Sequence, residues 1–318
     1  MRHRLPNALS AVASPKHMTG PLLGADVRLT LARALRLIPP ATRGKMRLAR
    51  AILGSARHVS DVVVQDRRGH RFLIPQVGSP IGLDLLINGV YEPLELELAL
   101  RLLRKGSTFV DVGANVGCYS IPLAAALEPG GRVIAIEASP RLQVYLERNI
   151  VMNGLHNVEI VPAAAGEREG TTDFHEAPSH SFGMGSIAPQ FSSRPVQLSM
   201  SRLDTILEER AIERVDLIKV DVEGFEVGVF RGARTTLTGA HPPAVLFEFL
   251  DWAEERAGFR AGTAQEALLD WGFTLWTSSD FLQGRAALNT PMRSGGAMLL
   301  AIRRVAKVGQ TLNSITIP

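Results

Sequence analysis

The stretch Phe109-Val-Asp-Val-Gly-Ala-Asn-Val-Gly-Cys-Tyr-Ser-Ile121 decides the fold. An apolar run enters Asp111, passes through Gly113, Ala114, Asn115 and Gly117, and then opens a helical pattern. A strand, a glycine turn and a helix in that order are the first βα unit of a doubly wound sheet, which binds ligands at the carboxyl ends of its strands. A dinucleotide fingerprint would read G-x-G-x-x-G, with its second glycine letting backbone approach a pyrophosphate. Asn115 stands at that second position, so the loop points to a ligand without pyrophosphate. Glu137 ends the next strand-like run, 20 residues after Gly117. A carboxylate there accepts hydrogen bonds from both hydroxyls of a ribose. Together these describe a pocket for an adenosine-like ligand, and S-adenosylmethionine fits. Asp111 is expected to meet its cationic end, directly or through water.

Outward from the loop, the chain alternates. Strand-like runs at Thr108–Val112, Arg132–Glu137, Val158–Ala163, Leu217–Asp221 and Ala244–Phe249 are separated by helical patterns, notably 139–152 and 224–237. This alternation predicts βαβ units and a parallel sheet covered on both faces. Two further runs, Phe273–Ser278 and Ala297–Ile302, have no helical pattern between them and read as an antiparallel pair at one edge. The total is seven strands.

A second acidic constellation lies in Asp216-Leu-Ile-Lys-Val-Asp-Val-Glu-Gly-Phe-Glu226. Strand alternation puts Leu217, Lys219 and Asp221 on one side. Asp221 and Glu223 then gather at the mouth of the ligand pocket. In-line methyl transfer to a hydroxyl needs alignment and removal of a proton, which a carboxylate performs. The two acids could instead hold a hard divalent ion that acidifies the hydroxyl. The metal-free version is preferred, because Lys219 already supplies a positive charge. The plainer alternative is a Lys219–Asp221 ion pair that only orders the strand end.

The segments VDVGANVG, IEASP, LDTIL (203–207), IKVDVEGFE and FEF, with VYEPLE at 90–95, resemble the FkbM-type S-adenosylmethionine-dependent methyltransferases over about residues 60–250. The resemblance implies a seven-stranded Rossmann-like α/β methyltransferase fold and transfer of methyl to oxygen on a sugar, glycolipid or secondary metabolite. It carries cofactor-binding roles onto Asp111, Gly113, Ala114, Asn115, Gly117, Glu137 and Ala138, joined by Glu92 and Ala164. It carries the acidic catalytic segment onto Asp221 and Glu223, beside Lys219. The family usually has Glu-Pro where this chain has Glu137-Ala138, which changes the turn and keeps the carboxylate. Two competing readings are a nicotinamide-dependent oxidoreductase and a catalytically silent cofactor-binding protein. Asn115 and the terminal strand pair oppose the first; the intact acids oppose the second.

The 318 residues are 46% hydrophobic and 21% charged, enough apolar material for a large core. Aromatics are 6%, too few for a base-stacking protein. One cysteine, Cys118, allows no internal disulfide. Residues 1–60 carry 11 bases and one acid, Asp26, a balance of +10, while the remainder balances to −6. The acidic body does not suggest nucleic-acid binding; a small-molecule or glycan acceptor is expected instead. No run is long enough to span a membrane, and Pro6, Asn7 and Ser10 interrupt the short apolar run at the start. A cytoplasmic location is the expectation.

The chain divides into a basic, partly flexible helical extension (1–58), a methyltransferase domain that begins with a hairpin (59–305), and a tail (306–318). The extension holds two basic amphipathic stretches, 26–38 and 44–57. They read either as a contact with anionic lipid or as helices packed on the body with arginines in solvent. The packed reading is preferred, because the pattern is unspecific. Residues 172–186 read as a mobile lid over the acceptor, with His175 and His180 as secondary candidates for a base.

Overall fold

The computed structural model describes residues 23–40, 42–178, 181, 183–188 and 194–303. The expectations for residues 1–22, for His180 and for the tail lie outside them. The chain opens with α1 (Leu23–Ala34) and α2 (Lys45–Leu53), followed by the hairpin β1 (Ser60–Gln65) and β2 (Arg71–Gln76). Then come α3 (Pro80–Ile87), α4 (Pro93–Leu102), β3 (Thr108–Val112), α5 (Ser120–Leu127), β4 (Arg132–Ile136), α6 (Pro140–Met152) and β5 (Val158–Val161). A small set follows: β6 (Ala164–Ala165), β7 (Gly170–Phe174) and β8 (Val196–Ser201), then α7 (Leu203–Glu208). The last part holds β9 (Leu217–Val220), α8 (Glu226–Gly232), α9 (Arg234–Thr238), β10 (Ala244–Leu250), α10 (Asp251–Arg256), α11 (Thr263–Asp270), β11 (Thr274–Thr277), α12 (Ser278–Leu282) and β12 (Gly296–Ile302).

Seven strands form the main sheet in the order β11-β12-β10-β9-β3-β4-β5. The five inner-chain strands run parallel, and β12 runs antiparallel to both β10 and β11. The chain winds from β3 outward through β4 to β5, then returns to β9 on the other side of β3. The carboxyl ends of β3 and β9 are therefore the topological switch point. One face buries Val110, Ile134, Ile218 and Phe247 under α7, α8 and α11. The other buries Phe109, Val133, Leu217 and Leu246 under α4 and α5. Burial on both faces explains why these strands read as continuous apolar runs.

Two departures from the sequence reading concern the surroundings of the sheet. The glycine-punctuated stretch before α4 contains a helix, α3. Ser79 caps it by accepting from the Gly82 amide at 3.1 Å, and Pro80 takes its first position, where a missing N–H costs nothing. The expected lid at 172–186 begins as strand β7 in a separate three-stranded sheet, β6-β8-β7. His175 continues it through a backbone bridge to Ser186. The β-branched pair Thr171-Thr172 favours that pleated surface. The described helices of the 1–58 stretch pack on the body, in line with the packed reading. Leu29, Ala32, Ala49 and Leu53 share one buried cluster with Phe72 and Ile74 of the hairpin and Leu146 of α6.

The turn after β9 is closed by a buried acid. Glu226 is 2% exposed, and its Oε1 accepts from the amides of Val222 and Gly224 at 3.1 and 3.2 Å. Burial pushes its carboxyl up to about 7.

Two measurements test this packing. Leu53→Ala removes a side chain that is 0% exposed and should destabilise the protein by about 2–5 kcal/mol in denaturant unfolding; a loss below about 0.5 kcal/mol would place α2 outside the core. Glu226→Gln keeps the acceptor oxygen and cannot ionise. Because the folded pKa is raised, the contribution of the protonated acid is present below the unfolded value of 4.5 and is lost as pH rises through about 7. The melting temperature of the variant should therefore gain on wild type by several degrees between pH 5 and pH 8. A difference that does not move with pH would contradict the assignment.

Candidate functional site

The parallel register sets Asp111 of β3 directly beside Lys219 of β9, and Leu246 of β10 beside Lys219 on the other flank. All three side chains share one sheet face. Beyond Asp111 the chain turns sharply. Gly113 has φ +79°, and a Cβ there would stand 1.9 Å from the carbonyl oxygen of Asp221. Only glycine lets the β3 loop lie against the end of β9 in this way. Three of the non-glycine residues with left-handed backbone, Glu92, Asn115 and Glu223, surround the same place. Strain of this kind gathers where a site is built.

Glu137, at the end of β4, is clamped from two sides. Its Oε2 accepts from the Asn115 amide at 2.7 Å and its Oε1 from the Ser139 amide at 2.8 Å. Burial pushes its carboxyl up to about 7, and these two donors oppose the shift. Each oxygen keeps a lone pair for a further donor.

Two cavities meet here. The first is lined by Asn115, Glu137, Ala138, Ala164 and Phe174 among others. No lysine, arginine or histidine lines it among the described residues. The second is lined by Ile81, Tyr91, Ala114, Tyr119, Lys219 and Glu248 among others. Gly113, Asn115, Asp221 and Glu223 line both. The acidic segment is thus the seam between them.

One buried ammonium organises the charges at that seam. Lys219 Nζ lies 3.1 Å from Asp221 Oδ2 and 3.7 Å from Asp111 Oδ1, and donates to the Gly113 carbonyl at 3.2 Å. It also sits 5.3 Å from the centre of the Tyr119 ring. Burial works against its charge, but Asp221, Asp111 and Glu92 outweigh burial and hold the ammonium above its ordinary range. Asp111 Oδ2 accepts from Ser120 Oγ at 2.6 Å. Glu92 accepts from the Tyr119 hydroxyl at 2.7 Å, and burial with the nearby Asp221 pushes it up to about 7.

The structure brings Gly113, Ala114, Asn115, Glu137, Ala138, Ala164, Lys219, Asp221 and Glu223 to these two cavities, as the sequence reading grouped them. Asp111, Gly117 and Glu92 line neither. Asp111 is 1% exposed, with its carboxylate turned to Ser120 and Lys219, so it faces the lysine rather than a ligand. Gly117 lies against Leu146 of α6. His175 lines neither cavity.

Glu248 was missed. It offers a carboxylate oxygen within 4.8 Å of those of Asp221 and Glu223, a grouping that could bind a proton or a divalent cation. Burial first, then Asp221 and Glu223, push its carboxyl up to about 10. The signal for it is the register between β9 and β10, which local periodicity does not report. With Leu246 paired to Lys219, one more step of alternation puts Glu248 beside Asp221.

The first cavity therefore suits a flat apolar group next to a carboxylate that can hold a ribose, with acids at the far end to meet positive charge. That donor set fits S-adenosylmethionine.

Comparisons with known proteins agree. The family model for the methyltransferase FkbM domain matches residues 111–275, a little over half of the chain. The chain is 28% identical to methyltransferase sdnD of Sordaria araneosa over 153 residues, covering 39% of this chain and 59% of sdnD. It is 29% identical to 2-O-methyltransferase NoeI of Sinorhizobium fredii over 146 residues, covering 41% of this chain and 58% of NoeI. It thus spans a little under six tenths of the length of these curated relatives. A solved SAM-dependent O-methyltransferase from Thermotoga maritima is 14% identical, with 80% of this chain and 82% of that chain covered at a TM-score of 0.38, a likeness too distant to argue from. The family match runs from Asp111 through the glycine loop, Glu137 and the Asp221 segment to the start of β11, and the chain belongs to the FkbM family of S-adenosylmethionine-dependent methyltransferases.

Proposed function

We propose that this chain methylates a hydroxyl oxygen on a small molecule or glycan, with the cofactor in the first cavity and the acceptor in the second. The observation that carries the reading is the seam of Asp221, Glu223 and Glu248, three carboxylates within reach of one another where the cavities join. A hydroxyl must lose its proton as it attacks, and a carboxylate at the seam takes it. The printed activity of NoeI, a 2-O-methyltransferase, supports oxygen as the target.

S-adenosylmethionine, when bound, supplies an electrophilic methyl group on a sulfonium. The chain's own residues divide the remaining work. Glu137 and the Asn115 loop grip the ribose. Asp221 is drawn to Lys219, which fixes its place at the seam. Glu248 is surrounded by acids, which raise its affinity for a proton, and in its ionised form, reached as pH rises, it receives the proton of the acceptor hydroxyl. Glu223 lines both cavities and orients the acceptor. Lys219 keeps the cluster from carrying uncompensated negative charge. No ion is required in this scheme.

The test is transfer of labelled methyl from S-adenosylmethionine to a panel of sugars and other hydroxylated acceptors, with the position of the product methyl determined. Glu248→Gln should lower kcat by about 10²–10⁴-fold and leave cofactor affinity nearly unchanged. Glu137→Ala should weaken cofactor binding by about 1.5–3 kcal/mol. The wild-type rate should rise with pH through one ionisation and ignore chelators. Activity lost to a chelator and restored by magnesium would give the three carboxylates to an ion instead. Methyl found on nitrogen or carbon, or normal turnover by Glu248→Gln, would overturn the reading.

A further inference from the structure

The α1–α2 pair has a second face that core packing does not explain. Inward, Leu29, Ala32, Ala49 and Leu53 are buried. Two of the cations also turn inward: Lys45 Nζ donates to the Ile38 carbonyl and to Asn88 Oδ1, both at 2.7 Å, and Arg36 donates to the carbonyls of Leu85 and Leu86. Outward, the stretch from 23 to 58 exposes five arginines, Arg33, Arg43, Arg47, Arg50 and Arg57, against one acid, Asp26; Arg28 is also exposed, but its guanidinium donates to the Ile52 carbonyl at 2.8 Å. Between them stand exposed apolar side chains. Among the described residues nine large hydrophobics are exposed, and four of them, Val27, Leu31, Leu37 and Leu48, fall in this short stretch. Leu37 is 90% exposed. Val27 and Leu31 lie one turn apart on α1, on the side opposite Leu29 and Ala32, so the helix is apolar on two faces.

Single exposed hydrophobics need no explanation. A set interleaved with arginines on adjoining helices has the composition of an interfacial helix, whose apolar residues enter the headgroup region while its cations meet lipid phosphates. The charge is one-sided as well, since residues beyond 60 balance to −6. No helix among the described residues is long and apolar enough to cross a membrane, so any such contact is peripheral.

We propose that the outer face of α1 and α2 docks the protein on an anionic phospholipid surface. α1 packs on α3, and the first turn of α3, Pro80 and Ile81, walls the second cavity. Docking would set that cavity one helix away from the lipid. The surface stands on α1 and α2 alone and does not depend on which atom is methylated.

The test is flotation of the full chain with vesicles of equimolar phosphatidylcholine and phosphatidylglycerol, beside vesicles of phosphatidylcholine alone. Wild type should float with the anionic vesicles only, and release in about 1 M salt, where the Debye length falls to about 3 Å. Two double variants, V27S/L31S and R47E/R50E, should each lower the bound fraction at least about tenfold with unchanged thermal melting. Three outcomes would overturn the proposal. Wild type fails to float at low salt. V27S/L31S floats as wild type does, which makes the contact a general attraction through another segment. Or the variants leave flotation unchanged and convert an oligomer to a monomer, which makes the face a contact between copies.

Discussion

The site depends on one buried ammonium. Lys219 is 3% exposed and sits between Asp111, on the neighbouring strand, and Asp221, two residues further along its own. Burying any one of these charges alone would cost several kcal/mol. Buried together they hold one another, and the lysine adds a hydrogen bond to the Gly113 carbonyl. That bond ties the glycine loop after β3 to the end of β9. The two strands flank the switch point, so the contact fixes the edges of both cavities at once. The same contact makes Gly113 obligatory, because the loop and the Asp221 carbonyl come too close for any side chain.

Around that centre, carboxylates of one chemical type are separated by their surroundings, which is how a single fold assigns different tasks to similar acids. Glu137 is buried and pinned by two amides, a geometry suited to holding hydroxyls. Asp111 is turned entirely to the lysine and Ser120. Asp221 faces both the lysine and the cavities. Glu248 stands among acids, and burial with those neighbours raises its hold on a proton. In the proposed reaction these differences make Glu137 a grip, Asp111 a counter-charge and Glu248 a base.

Much of this was legible in the sequence, for reasons that name its limits. The parallel core was readable because both faces of each strand are buried and the runs are continuous. The glycine loop was readable because Gly113 and Asn115 require unusual backbone. Asp221 and Lys219 were readable because alternation within one strand puts them together. Glu248 needed the register between β9 and β10, which are joined through two helices and a turn, and local periodicity does not report it. Asp111 was assigned to a ligand because sequence position shows that a residue is near a pocket and not which way its carboxylate turns. Helix α3 hid among glycines, although Ser79-Pro80 is a start signal. The second sheet was hidden because β6 has only two residues. The packing of α1 and α2 was the preferred reading, but which of their residues face inward was not legible, because arginines dominate the pattern while a few leucines and alanines carry the core.

The central claim, that Lys219 is held by its acids and in turn holds the site, is tested most directly by a double-mutant cycle on unfolding free energy. Lys219→Met, Asp111→Asn and the double variant would be compared with wild type in denaturant. Lys219→Met alone should cost about 3–5 kcal/mol, as breaking a buried pair does. The double variant should be less destabilised than the sum of the singles by at least about 1 kcal/mol. Losses that add to within about 0.5 kcal/mol would mean that the two groups do not depend on each other, and would contradict the account.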